Sequence, residues 1–314
     1  MAKYLVTGAA GFIGSNIVEE LVRRGEEVVA FDNLSTGKAS NLSDVMSKIR
    51  FIEGDITDLG SITGAARGAD YILHQAALPS VPRSVEDPLS SHEANATGTL
   101  NVLLAARAAK VKRVVYASSS AVYGNSPTLP KQEAMPTDPL SPYAVNKLAG
   151  ENYCKVFWLV YGVPTVALRY FNVFGPRQDP TSQYAAVIPA FIASLLEGKP
   201  PVLYGDGLQS RDFTYVSNVV SGNLLACEHD EAVGSAINLA CGDRISLLDL
   251  VKEINALIGT NIEPVFEEPR AGDVKHSLAD ITQAWEKLQY ETVVSFNQGL
   301  AKTIEYMQGK KVVG

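Results

Sequence analysis

Thr7-Gly8-Ala9-Ala10-Gly11-Phe12-Ile13-Gly14 separates a strand-like run, Tyr4–Thr7, from an amphipathic helical stretch, Ile13–Arg24. Its spacing is G-x-x-G-x-x-G rather than the commoner G-x-G-x-x-G, but the physical demands are the same. Gly8 permits a tight turn, Gly11 lets the backbone approach a pyrophosphate, and Gly14 lets helix pack on strand. The helix that opens there offers N–H donors and a positive dipole end to an anion. Glycines alone also mark turns that bind nothing. The context is what gives this triplet weight, because an acid, Asp32, follows at the tip of the next strand in Val29-Ala30-Phe31-Asp32-Asn33. A carboxylate there accepts hydrogen bonds from a ribose 2′-hydroxyl and repels a 2′-phosphate, which favours NAD over NADP. The other account of Asp32, a helix cap or a solvated turn acid, is the minor one in this context.

Outward from this turn, strand-like runs recur at Glu27–Phe31, Arg50–Glu53, Tyr71–His74, Arg113–Ala117 and Thr165–Arg169, separated by helical patterns such as the alanine-rich Thr97–Ala109. Such alternation predicts a parallel sheet covered on both faces, an α/β fold of Rossmann-type doubly wound architecture. After Tyr170 the rhythm changes to Gly- and Pro-containing loops with helices expected over Ala185–Glu197, Ser217–Glu228, Leu247–Leu257 and Phe296–Met307. We expect residues 1–170 to form the NAD-binding domain. Residues 171–314 should form mainly a smaller C-terminal substrate-binding domain, with some segments returning to the sheet and the cleft between as ligand site.

Composition narrows the class. In 314 residues, 46% are hydrophobic and 19% charged, which is ordinary for a globular enzyme. A net charge of −7 argues against nucleic-acid or membrane-surface partners, which are themselves anionic. Three scattered cysteines make no disulfide framework, so a reducing cytoplasm is expected. The histidines show no metal-ligand spacing, and no metal is expected. No apolar run is long enough to span a bilayer.

Tyr143-Ala144-Val145-Asn146-Lys147 opens a helical stretch after Asp138-Pro139-Leu140-Ser141-Pro142, and i, i+4 spacing puts Tyr143 and Lys147 on one face. A tyrosine of pKa about 10 is a poor base at neutral pH. A nearby ammonium and the nicotinamide charge are expected to lower that pKa. The fifth strand runs into Tyr116-Ala117-Ser118-Ser119-Ser120-Ala121-Val122-Tyr123-Gly124, which places hydroxyls where open α/β sheets bind ligands. A Tyr/Lys pair also occurs on solvated helices, and serines at strand ends also cap and turn. Asp55-Ile56 after the third strand reads as an adenine contact or as a cap for the helix after Asp58. Ala76 and Ala77 after the fourth read as room for a cofactor backbone or as tight loop packing.

Together these segments resemble the extended short-chain dehydrogenase/reductase superfamily over essentially the whole chain. Within it the sequence is similar to UDP-sugar 4-epimerases, especially those acting on UDP-N-acetylglucosamine. Leu168-Arg169-Tyr170-Phe171-Asn172-Val173-Phe174-Gly175, Ser210-Arg211-Asp212-Phe213 and Arg270-Ala271-Gly272-Asp273 carry the narrower likeness. The resemblance implies that Ser119, Tyr143 and Lys147 are catalytic. Tyr143 would take the proton from the sugar 4-hydroxyl while hydride passes from C4 to NAD, and the ketone would turn its other face before the hydride returns. It also implies NAD contacts from Phe12, Ile13, Asn33, Asn95, Ser118 and Tyr170, in addition to the residues above. Substrate contacts are implied at Ser80, Arg83, Ser120 and Val187. Arg211 and Arg270 would hold the diphosphate, Asp273 the uridine ribose, and Asn172 the diphosphate or sugar, with Tyr204 beside the uracil. Surface ion pairing is the other account of the two arginines.

Family members restricted to unacetylated hexoses have an aromatic wall where this chain has Ser277, so room for a 2-acetamido group is implied. The expected reaction is UDP-GlcNAc/UDP-GalNAc interconversion, with UDP-Glc/UDP-Gal as a further pair, in a homodimer built from Thr97–Ala109 and Tyr143–Tyr161. The alternatives are a nucleotide-sugar 4,6-dehydratase, a UDP-glucuronate decarboxylase, or a non-catalytic NAD-sensing protein. Related dehydratases carry an Asp-Glu pair where this chain has Ser120-Ala121, which leaves elimination without its proton carriers. Decarboxylases tend to a glutamate there.

Overall fold

The computed structural model describes residues 1–180, 186–268 and 275–311. Seven strands form the main sheet: β1 Lys3–Thr7, β2 Glu27–Asp32, β3 Arg50–Glu53, β4 Tyr71–His74, β5 Arg113–Ser119, β6 Thr165–Tyr170 and β7 Ala236–Leu239. Their order is 3-2-1-4-5-6-7. Every pairing is parallel. Alternate strand residues face opposite layers, so both faces need covering. Tyr4, Val6, Val28 and Ala30 join Ile17 and Leu21 of the Phe12–Arg23 helix and Val219 and Leu224 of the Val216–Glu228 helix. Leu5, Val29, Phe31 and Ile72 join Ile62, Val102 and Phe157 on the other side. The predicted doubly wound sheet is therefore present. β5 runs two residues past its predicted end and takes in Ser118 and Ser119.

A third apolar cluster, including Phe174, Phe191, Leu203, Phe213 and Leu250, organises much of the C-terminal part, and Phe12 packs against it. The chain after Tyr170 also supplies β7, which pairs with β6. The predicted helix at Ala185–Glu197 spans Val187–Leu196, and Ala185 lies outside the described residues. The helix predicted at Thr97–Ala109 runs Gly98–Ala109 behind a π-turn at Glu93–Thr97. Among the described residues no helix is long and apolar enough to cross a membrane.

Candidate active site

The strand order reverses between β1 and β4, and the crevice beyond the carboxyl ends at such a switch point is where open α/β sheets bind ligands. Gly8 follows β1 with φ +66°, and a Cβ there would lie 2.6 Å from the backbone N of Ala76, which follows β4. A Cβ on Gly14 would strike the Gly8 carbonyl oxygen. Both glycines are thus required by backbone contacts, as the motif predicted. Gly11 is the N-cap of the Phe12–Arg23 helix and brings no side-chain cap, which leaves the first-turn N–H groups aimed at the crevice.

Asp32 closes β2. One of its oxygens accepts from Ala10 N–H at 2.9 Å and the other from Leu34 N–H at 2.8 Å. Its carboxylate therefore braces the glycine turn, and each oxygen keeps a lone pair for a ribose hydroxyl. Turn, open helix end and carboxylate fit a dinucleotide. Asn33 donates to Asp55 at 2.7 Å, and Asp55 also accepts from Thr57 N–H and hydroxyl. Burial raises the Asp55 pKa, but these donors outweigh it and hold the group below the usual carboxylate range. The alternative of Asp55 as a helix cap fails, since Asp58 caps Leu59–Ala65 by accepting from Gly60 and Ser61. Ile56 is buried, and its carbonyl accepts from Asn101. Asn95 lies on the π-turn and clasps Leu78 through N–H and carbonyl at 2.8 and 3.1 Å, which sets the loop holding Ala77.

The catalytic candidates converge. Ser141 caps the Pro142–Tyr161 helix by accepting from Ala144 N–H at 3.2 Å, and Pro142 occupies the first turn. Tyr143 thus stands at the helix start, beside the end of β5. The Ser119 hydroxyl hydrogen-bonds the Tyr143 phenol, and it also accepts from Ala121 N–H at 3.2 Å. Lys147 is buried, its Nζ 5.8 Å from the Tyr143 ring centre and donating to the Ala117 carbonyl at 2.8 Å. Burial draws its pKa down to about 8, so it remains mostly an ammonium at neutral pH.

Without the nicotinamide charge that the expected lowering included, the Tyr143 pKa lies above its ordinary value. Burial pushes it up, and the Ser119 hydrogen bond offsets this only in part. In the free chain the phenol is thus a proton donor held in reserve, whose ionisation needs further positive charge.

On the substrate side, Asn172 has φ +34°, a conformation asparagine tolerates better than most residues. Its Nδ2 donates to the Asp212 carbonyl and to Ser277 Oγ, both at 2.9 Å. Asn172 and Ser277 are thus brought together. Arg211 donates to the Ser210 and Lys275 carbonyls at 3.1 Å. The Tyr204 carbonyl accepts from Gln209. Val187 begins its helix, Ser80 caps Val81–Glu86, and Arg83 is exposed on that short helix. Ser120 starts the 3-10 turn Ser120–Tyr123. Arg270 and Asp273 lie outside the described residues.

Several supporting contacts were not expected from the sequence. His74 bridges Thr7 and Thr99 hydroxyls at 2.7 and 3.1 Å, and burial then Lys147 lower its pKa to about 3. The Tyr170 hydroxyl meets Gln75 and Asn223 at 3.2 and 3.0 Å. Asp212 gathers backbone N–H groups of Cys241, Gly242 and Ala279. Ser118 Oγ donates to Glu151, which is paired with Arg169. The available signal was charge inside apolar segments, Arg169 in a buried strand above all.

A family model described as "NAD dependent epimerase/dehydratase family" matches residues 4–240. The chain belongs to that family, whose name carries the cofactor expected from the glycine turn and Asp32. A UDP-glucose 4-epimerase of Mycolicibacterium smegmatis is 40% identical over 311 residues, 98% of each chain. Among solved structures, a UDP-N-acetylglucosamine 4-epimerase from Methanobrevibacter ruminantium, in complex with UDP-N-acetylmuramic acid, superposes with TM-score 0.95 at 40% identity, covering 98% of this chain and 99% of that one. A Thermus thermophilus UDP-glucose 4-epimerase in complex with NAD gives TM-score 0.88 at 36% identity, with 98% and 99% covered.

Proposed function

We propose that this protein is an NAD-dependent UDP-sugar 4-epimerase that interconverts UDP-GlcNAc and UDP-GalNAc and also accepts UDP-Glc and UDP-Gal. The observation that carries the reading is the meeting of Ser119, Tyr143 and Lys147 at the carboxyl end of β5, beside the switch-point crevice. Bound there, NAD supplies a reversible acceptor for the hydride at the sugar carbon. Tyr143 takes the proton of the sugar 4-hydroxyl and returns one to that same oxygen when the hydride comes back to the opposite face of the carbon, with Ser119 bridging sugar oxygen and phenol. Lys147 supplies the positive charge that makes the phenolate accessible, and the cofactor charge adds to it. Ala121 offers no acid or base for elimination, which favours epimerisation over dehydration.

The small Ser277, held against Asn172, supports the acetylated sugar. Arg211, with Arg270 and Asp273, is assigned to the UDP moiety, and Ser80, Arg83, Ser120, Val187 and Tyr204 to the remaining substrate contacts. A second copy of the chain is proposed to cover the exposed apolar residues Val145, Val156, Leu159 and Val160 of the Pro142–Tyr161 helix. The test is incubation with UDP-GlcNAc, UDP-Glc and UDP-GlcA separately, with products identified by NMR. Turnover of UDP-Glc with neither binding nor turnover of UDP-GlcNAc refutes the sugar assignment. Decarboxylation of UDP-GlcA without any 4-epimer refutes the reaction.

A further inference from the structure

Three consecutive residues at the end of β5 meet one face of the Pro142–Tyr161 helix. The Ala117 carbonyl accepts from Lys147 Nζ at 2.8 Å, Ser118 Oγ donates to Glu151, and Ser119 hydrogen-bonds Tyr143. Positions 143, 147 and 151 are successive i, i+4 steps, so phenol, ammonium and carboxylate stand in one row against the strand. The chemistry above uses the first two and leaves the third without a task. We propose that Glu151 is a positioning residue, whose carboxylate fixes the register of the catalytic helix on β5 and acts as the counter-charge that keeps Lys147 an ammonium. Its catalytic consequence rests on the epimerase reading, while the charge relation to Lys147 stands without it.

Glu151 is held from its far side by Arg169 on β6, with Nε at 2.9 Å and Nη2 at 2.7 Å, and both side chains are 6% exposed. A buried ion pair adds little net stability, because desolvating two charges cancels most of their attraction. Its position one helical turn beyond Lys147 gives it a different use. The groups facing Lys147 are Tyr143, Glu151 and Cys154 on its own helix, Tyr116 on β5, and His74 on β4, with Arg169 on β6 behind Glu151. Burial raises the Tyr116 phenol and the Cys154 thiol and holds His74 down at about 3, so all three are neutral at working pH. Against the burial that lowers the Lys147 pKa stand Cys154 and then Glu151, and with the thiol neutral the Glu151 carboxylate is the negative group beside the ammonium.

The test uses the full-length, NAD-bound protein carrying 13Cε-lysine, with the Lys147 resonance assigned through Lys147→Arg. It reads the Lys147 titration midpoint by NMR beside the pH profile of kcat. Glu151→Gln keeps an acceptor for Ser118 and leaves Arg169 as an unopposed cation. Midpoint and alkaline limb are both expected to fall by about one pH unit, with KM for UDP-GlcNAc unchanged. Should the lone guanidinium prevent folding, Glu151→Gln/Arg169→Met removes both charges and is expected to lower the midpoint by less. A wild-type midpoint in Glu151→Gln, or in the double variant where the single one does not fold, overturns the proposal. A wild-type protein without epimerase activity overturns the functional reading instead, and the NMR midpoint still decides the role of Glu151.

Discussion

Ser277 offers a way to separate support of the sugar pocket from its size. Its hydroxyl accepts from Asn172 Nδ2 at 2.9 Å and from Asp212 N–H at 3.3 Å. The second contact is long, so Ser277→Ala should cost about 1 kcal/mol in the positioning of Asn172. That is roughly a fivefold fall in kcat/KM, shared by UDP-GlcNAc and UDP-Glc alike, at about 1.4 kcal/mol per tenfold. Ser277→Tyr loses the same hydroxyl position and adds a wall. Forcing an acetamido group against an overfilled site costs a further ~1–3 kcal/mol, a selective loss of roughly 5- to 150-fold against UDP-GlcNAc. The assay is kcat/KM for both sugars in the wild type and both variants, with products separated by chromatography. If Ser277→Tyr depresses both substrates equally, or Ser277→Ala alone produces the selectivity, Ser277 does not line the acetamido pocket.

Other outcomes follow from the same structure. Asp32→Ala removes the acceptor of two backbone N–H groups and of the ribose hydroxyls, so NAD affinity measured by calorimetry should fall by about 1.5–3 kcal/mol or more; unchanged affinity would detach Asp32 from the cofactor. His74 is buried neutral with its pKa depressed to about 3 from 6.5. The unfolded chain therefore binds a proton below pH 6.5 that the folded one refuses. The stability this group contributes is complete above pH 6.5 and is lost at about 1.4 kcal/mol per unit as pH falls toward 3. His74→Gln should flatten that slope in urea midpoints between pH 6.5 and 4, and an unaltered slope would assign it elsewhere. Val156→Glu/Val160→Glu should convert a dimer to a monomer in light scattering if that apolar face is the interface; a wild-type monomer would contradict the proposal.

How much of this was legible in the chain depended on the range of the interaction. The glycine turn was readable because its constraints are local, the Gly14 Cβ being excluded by a carbonyl six residues away. The parallel strands were readable as apolar runs because both faces are buried, and Tyr143 and Lys147 because helical spacing alone puts them on one face. The sign of the Tyr143 shift was not readable, because it depends on burial set by packing. The partnership of Glu151 with Arg169 was hidden for a similar reason, since it joins a helix and a strand eighteen residues apart. Asp58 rather than Asp55 caps the second helix because the chain turns at Asp55-Ile56-Thr57 before the helix begins.

Tyr143→Phe tests the account most directly. It removes one oxygen, whose recognised partner is the Ser119 hydroxyl, and should leave folding and NAD retention intact. With UDP-GlcNAc as substrate and UDP-GalNAc formation followed by NMR, kcat is expected to drop by about 10²- to 10⁴-fold. A variant that still holds NAD and epimerises at close to the wild-type rate would contradict it.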